Sequence, residues 1–129
     1  ERYELVTDSG GAGEFRGGLG ILRDMRVLAD NASVSLRSSR QKYPAPGHSG
    51  GGPGGLGTFL CNPGTPGEKR MAMTSSGTPL ANGDVLRVVS PGGGGYGDPR
   101  ERDPAAVKRD LVEGKISAAA AREIYGGDE

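Results

Sequence analysis

The stretch Pro91-Gly92-Gly93-Gly94-Gly95-Tyr96-Gly97-Asp98-Pro99 constrains this chain more than any other. Glycine loses more backbone freedom on folding than any other residue. Four in succession therefore persist in ordered structure only where the backbone needs a positive φ, or where another backbone or a ligand comes close. A flexible linker would carry serine and little bulk. Here Tyr96, Asp98 and two prolines frame the glycines, so the stretch reads as a shaped loop. It also divides the chain: residues 1–99 are glycine-dense and β-patterned, and residues 100–129 switch to a helical period.

Before the loop, Arg2 to Thr7 reads as a short strand and Asp8 to Gly13 as a turn. Ile21 to Leu28 is a second strand, with Ile21, Met25 and Val27 on the face of Arg23. Asp30-Asn31 signals a turn. Ala32 to Arg37 then alternates with Ala32, Val34 and Leu36 inward, so 21–28 and 32–37 are expected to form a hairpin. Residues 38–67 lose all periodicity among prolines and glycines and read as a long loop, unusual in a compact domain unless functional or disordered. Lys69 to Thr74 is a further strand with Met71 and Met73 on one face. Asn82-Gly83 turns into Asp84–Ser90, the strand best suited to burial on both faces. In the tail, Asp103-Pro104 is a cap followed by proline at the first helical position, with Gly114 as the stop. Ser117 caps a second helix that ends at Gly126. The expected fold is α+β and predominantly β: glycine-rich antiparallel or mixed β-structure followed by a helical hairpin.

Glycine is 25 of 129 residues, and the 16 basic residues balance the 16 acidic ones. Leu, Ile, Val and Phe make up less than about a fifth of the chain, the region where disorder is suspected, but disorder also calls for high net charge. A folded, core-poor segment that needs neighbouring surface fits better. The charge balance gives no footprint for nucleic acid or an anionic membrane. Cys61 stands alone, which excludes an internal disulfide and a cysteine-based zinc cluster. No apolar run approaches the length of a membrane span, and the expected compartment is the cytoplasm. The opening at Glu1, almost directly in a strand, reads as a cut inside something larger.

The search for chemistry yields no catalytic set. Gly52-x-Gly54-x-x-Gly57 and Gly92-x-Gly94-x-x-Gly97 match a dinucleotide fingerprint in form, but neither opens a helix within a βαβ unit. His48 could be a base or a metal ligand, although its Pro/Gly surroundings favour a solvent-facing loop histidine. Cys61 could be a nucleophile but has no assignable His–acid partners, and a small buried apolar role suits it better. Asp8 and Asp98 could hold a cation or serve as turn residues. Arg16 could clamp a carboxylate or phosphate, or form a structural ion pair. Gly92, Gly93, Gly94, Gly95, Tyr96 and Asp98 form a structural loop with a possible ligand role. The charged residues of the tail read as a solvated helix face. No catalytic and no metal-ligating residue is assigned.

Three ordered stretches carry a resemblance. Ser9-Gly10-Gly11-Ala12-Gly13 through Arg16-Gly17-Gly18-Leu19-Gly20 resembles the SGGAGxxRGGxG segment of the hydantoinase B/oxoprolinase family. Gly83-Asp84 through Pro91–Pro99 resembles that family's GDxxxxxxPGGGGYGDP segment. The tail from Asp103-Pro104 through Tyr125-Gly126 is similar to its closing helical pair. Gly51-Gly52-Pro53-Gly54 resembles a GGxPG element, except that no residue separates the glycine pair from Pro53. The resemblance is to the C-terminal end of a much longer B-type chain, in a family that includes 5-oxoprolinase and the related acetone and acetophenone carboxylases. It implies ATP-dependent opening of a cyclic amide (hydantoin, N-methylhydantoin or 5-oxoproline) together with an A-type ATP-binding partner. Related carboxylase chemistry, or a non-catalytic interaction module keeping the fold, are the alternatives. It also implies that ATP and a divalent metal act in the full assembly, with the metal ligands upstream of this segment and no cofactor bound by it.

Overall fold

The computed structural model describes residues 1–127, so the last two residues of the expected 100–129 unit lie outside the described residues. Seven strands come first: β1 (Arg2–Leu5), β2 (Ile21–Arg26), β3 (Ala32–Arg37), β4 (Thr58–Cys61), β5 (Lys69–Arg70), β6 (Thr74–Leu80) and β7 (Val85–Val89). A 3-10 turn (Pro99–Glu101) leads into helices α1 (Pro104–Val112) and α2 (Ala118–Glu123). The strands form a five-stranded sheet of order β1-β2-β7-β4-β5 and a separate β3-β6 pair. Every pairing is antiparallel. The α+β, predominantly β class is what the chain adopts.

The expected hairpin of 21–28 with 32–37 does not form. β2 pairs with β1 and β7, whereas β3 pairs with β6 in the other sheet. Alternation correctly assigned the faces of β3: Leu36 is buried, Val34 and Ala32 are half-buried, and Ser33, Ser35 and Arg37 are exposed. It carries no information about which strand lies alongside. Past β2, Val27 donates to the Asp84 carbonyl and accepts from Gly83, which prolongs the β2–β7 pairing. The chain then turns at Asn31 (φ 59°) and crosses to the second sheet.

Two further expectations give way. Residues 38–67 are not structureless, because Thr58–Cys61 forms β4 inside them. The expected strand 69–74 is broken, with Lys69–Arg70 in the large sheet and Thr74 opening β6 in the small one. β6 went unread because Gly77 and Pro79 interrupt it. Gly77 takes φ 62° where the β3–β6 register shifts between Val34 and Leu36, and its N–H donates to Ser35 Oγ (3.1 Å). A left-handed glycine at a bulge, and a proline on a strand with one open edge, are the positions where a sheet tolerates both.

Two small cores result. Leu36, Phe59 and Leu86 meet between the sheets, with Met25, Val34, Met71 and Val88 packed around them. β7 is central, its Leu86 buried and its other residues half-buried. On the opposite face of the large sheet, Asp24 and Arg87 are register partners and form a two-point ion pair at 2.7 Å. The second core joins Val107, Ile116, Ala121 and Tyr125 of the tail to Ala12 and Ala120. The tail caps form as expected. Asp103 accepts from Ala105 N–H, Pro104 opens α1, and Ser117 accepts from Ala120 N–H. Gly114 and Gly126 take φ 69° and 68° beyond the helix ends. No helix among the described residues is long and apolar enough to cross a membrane.

Candidate functional site

Three glycine-rich segments (residues 8–20, 44–57 and 90–98) run together between the sheet and the helices. In a sheet each strand has neighbours only in the plane, but here each segment bonds to both of the others. Gly11 N–H donates to Gly93 and Gly93 N–H to Gly18, joining the first segment to the third. Gly92 N–H donates to Gly55 and Gly95 N–H to Gly52, joining the second to the third. Gly52 N–H donates to Ala12 and Gly55 N–H to Ser9, closing the triangle. The outcome is a three-sided bundle whose interior is backbone.

Such an interior has no room for side chains. A Cβ on Gly92 would fall inside the Ser9 carbonyl, and one on Gly11 would meet both the Gly52 oxygen and the Gly95 nitrogen. Neither glycine has a positive φ, so close approach of backbone to backbone is the reason for glycine here. The same restriction places glycine at the crowded axis of collagen. Gly18, by contrast, faces open space, and Gly93 would meet its nearest neighbour, Gly18 N, only at 3.3 Å.

The loop 91–99 is thus the third side of this bundle. Gly92, Gly93, Gly95, Tyr96 and Gly97 all donate their N–H groups to carbonyls of the other two segments or of residues within them. A phosphate cradle needs such donors turned toward the ligand. Among the described residues no group of three or more His, Cys, Asp or Glu side chains is placed to hold a metal ion.

Asp98 caps the 3-10 turn, accepting from Arg100 N–H (2.9 Å). Asp8, at φ 62°, accepts from Ser117 N–H (2.8 Å), while its own N–H donates to Lys115. It ties the bundle to the link between the helices. Cys61 is buried, and burial first, then the charge of Asp84, pushes its thiol above the usual range, away from nucleophile chemistry. Arg16 is largely covered. Its Nε and Nη2 donate to Asp110 (2.9 and 3.3 Å), and Nη1 donates to the Gly17 carbonyl (2.8 Å).

Arg102 completes that cluster, donating to Asp110 Oδ2 (2.9 Å) and to the Glu14 carbonyl (2.8 Å). Burial pushes the Asp110 carboxyl up, but hydrogen bonds and charge from Arg16 and Arg102 outweigh it and hold the group below its ordinary value. Two guanidiniums on one buried carboxylate clamp the helices onto the bundle. The expectation of a wholly solvated helix face fails here. Ala106, Val107 and Asp110 share the buried stripe of α1 at helical spacing, and that spacing was the available signal.

His48 is exposed, as its setting suggested, and its ring lies parallel to that of Tyr96 (centroids 5.7 Å apart, planes 5°). Phe15 adjoins the same Tyr96 ring (6.3 Å). Backbone pairing of Phe15 with Tyr96, and of His48 with the segment on either side of Tyr96, gathers these three rings. Nothing in the linear order of residues 15, 48 and 96 announces it.

Residues 1–99 match the family model described as hydantoinase B/oxoprolinase. The chain belongs to the hydantoinase B/oxoprolinase family. It is 38% identical over 125 residues to an uncharacterized protein of Methanocaldococcus jannaschii, covering 95% of this chain and 21% of that protein. It is 36% identical over 129 residues to caprolactamase subunit beta of Pseudomonas jessenii, covering 97% of this chain and 22% of that subunit. The crystal structure of the ATP-dependent caprolactamase from the same organism superposes with a TM-score of 0.78 at 31% identity, over 98% of this chain and 22% of the solved one. A nucleotide-free acetone carboxylase structure shares the fold, with a TM-score of 0.72 at 22% identity, over 96% of this chain and 21% of that one. The chain thus spans about a fifth of the length of these relatives.

Proposed function

We propose that this chain is the C-terminal region, or a separately encoded small subunit, of a B-type polypeptide in an ATP-dependent cyclic amidohydrolase. The substrate class is a lactam or cyclic imide: a hydantoin, N-methylhydantoin, 5-oxoproline or a ring of caprolactam type. An A-type partner handles ATP, and the remainder of the B-type chain supplies the divalent metal and the reacting groups. The observation that carries this reading is the match along 97% of the chain to caprolactamase subunit beta. The role of the present segment is mechanical. Its bundle is a stiff support, fixed by backbone hydrogen bonds, for a site built elsewhere. We place the assembly in the cytoplasm.

A carboxylase assembly is the second reading. It is favoured by 46% identity over 48 residues to the acetophenone carboxylase delta subunit of Aromatoleum aromaticum, a match confined to 36% of the chain. Purification from the source under mild conditions, followed by assay, separates the two. Amidohydrolase function predicts co-purifying B-type and A-type chains and ring opening that requires ATP. ATP-dependent consumption of bicarbonate with a ketone, and no lactam turnover, selects the carboxylase. Gly94→Ala, which drives a Cβ into the Pro46 carbonyl, should abolish turnover of the assembly. Normal turnover by that variant rejects the supporting role.

A further inference from the structure

Phe15, Tyr96 and His48 come from three distant parts of the sequence and adjoin at one exposed place. Phe15 is 62% exposed and Tyr96 52% exposed. Isolated exposed apolar residues, such as Leu28, are ordinary on any protein surface. Adjoining aromatic rings are different, because contiguous exposed apolar surface marks a binding face.

The rings are also held in place. Phe15 and Tyr96 exchange both backbone hydrogen bonds (3.0 Å each), His48 N–H donates to Gly95 (2.9 Å), and Gly97 N–H donates to His48 (3.1 Å). Ser49 Oγ holds His48 Nδ1 at 2.7 Å. Aromatic anchors on a rigid support lose little freedom on docking, which is why such residues dominate interface energetics.

We infer that the Phe15–Tyr96–His48 face is where the upstream part of the B-type chain docks. The inference rests on the B-type reading above. Two observations select this occupant. The matched segment is 21–22% of the B-type relatives, so most of such a polypeptide lies outside it and must meet it somewhere. None of its described large side chains is fully buried either, as expected of a piece that completes its burial against a permanent neighbour. The face offers that neighbour stacking surface, and it suits apolar and aromatic side chains or an arginine plane.

The test places a photo-crosslinking benzophenone amino acid at Tyr96, and separately at Leu28, in the protein expressed in its source and purified as the intact assembly. The expected result is a crosslink from position 96, mapped by mass spectrometry to B-type sequence upstream of this segment, and none from position 28. Phe15→Ser should weaken retention of the B-type region at least 10-fold, with His48→Ala having a smaller effect. Both residues are exposed, so thermal unfolding of the variants should match the parent and separate lost docking from lost folding. If B-type sequence co-purifies but position 96 captures a second copy, an A-type chain or nothing, the docking inference is overturned and the B-type reading stands. If no B-type sequence co-purifies, both are overturned.

Discussion

Between the sheets, Leu36, Phe59 and Leu86 form a core through their side chains, and that hydrocarbon separates the backbone of one sheet from the backbone of the other. In the glycine bundle the segments touch through carbonyls and amides, with nothing between them. The first region is specified by volume: hydrocarbon of about the right amount fills it, and the backbone has slack to adjust. The second is specified by the absence of volume. Its stability comes from satisfied peptide groups at close range, and it offers no alternative rotamer to absorb an intruding atom. Side-chain cores therefore grade their losses, while a backbone core fails at the first added methyl.

The sharpest test of that contrast is Gly92→Ala. One methyl group set into the Ser9 carbonyl forces two segments apart, and the loss should reach about 4 kcal/mol or more, most of the stability of a small domain. Urea unfolding followed by circular dichroism measures it; a midpoint close to the parent would mean that the bundle yields as a side-chain core does. Next comes Asp110→Asn, which leaves two guanidiniums without their carboxylate and should cost about 3–5 kcal/mol.

The same carboxylate sets a pH dependence. Its folded pKa is depressed, so its contribution is complete above the unfolded value near 4 and is lost as pH falls through the folded one. The parent should weaken below about pH 4 more steeply than the Asn variant. Equal slopes would remove Asp110 as the clamp. In the sandwich, Leu86→Ala should cost about 2–3 kcal/mol, and volume-conserving Leu86→Met under about 1.5 kcal/mol. Equal losses for the two would show the sandwich to be as intolerant as the bundle. Smallest of all, Gly18→Ala enters open space at an ordinary φ and should stabilise by about 0.5 kcal/mol by restricting the unfolded chain.

These two regions were not equally legible in the sequence. Alternation at Ala32–Leu36 and the caps at Asp103-Pro104 and Ser117 are local signals, and the structure uses each of them. Strand partners are not local: residues 21–28 and 32–37 are adjacent in sequence, yet they lie in different sheets. β4 and β6 escaped because one is four residues long between glycine and proline runs, and the other contains Gly77 and Pro79. The bundle posed a deeper problem. Periodicity detects side chains that are present, and the contacts at Gly11 and Gly92 depend on side chains that are missing. The framing of the glycines by Tyr96 and two prolines indicated an ordered loop. That the loop would be enclosed by segments 40 and 80 residues away could be read only once the chain was folded. Arg16 illustrates the same limit. Its chemistry suits an anion equally well as an ion pair, and only the position of Asp110 on α1 shows which carboxylate it meets.

The bundle has a thermal consequence. Unfolding a hydrocarbon core hydrates apolar surface and raises the heat capacity, whereas unfolding backbone packed on backbone hydrates peptide groups, which lowers it. A chain with 25 glycines in 129 residues, many of them in such packing, should therefore unfold with a heat-capacity increment below the usual ~12–15 cal/mol/K per residue. Its stability then changes little between cold and warm conditions, because the part that fixes its shape relies least on the temperature-sensitive ordering of water around hydrocarbon.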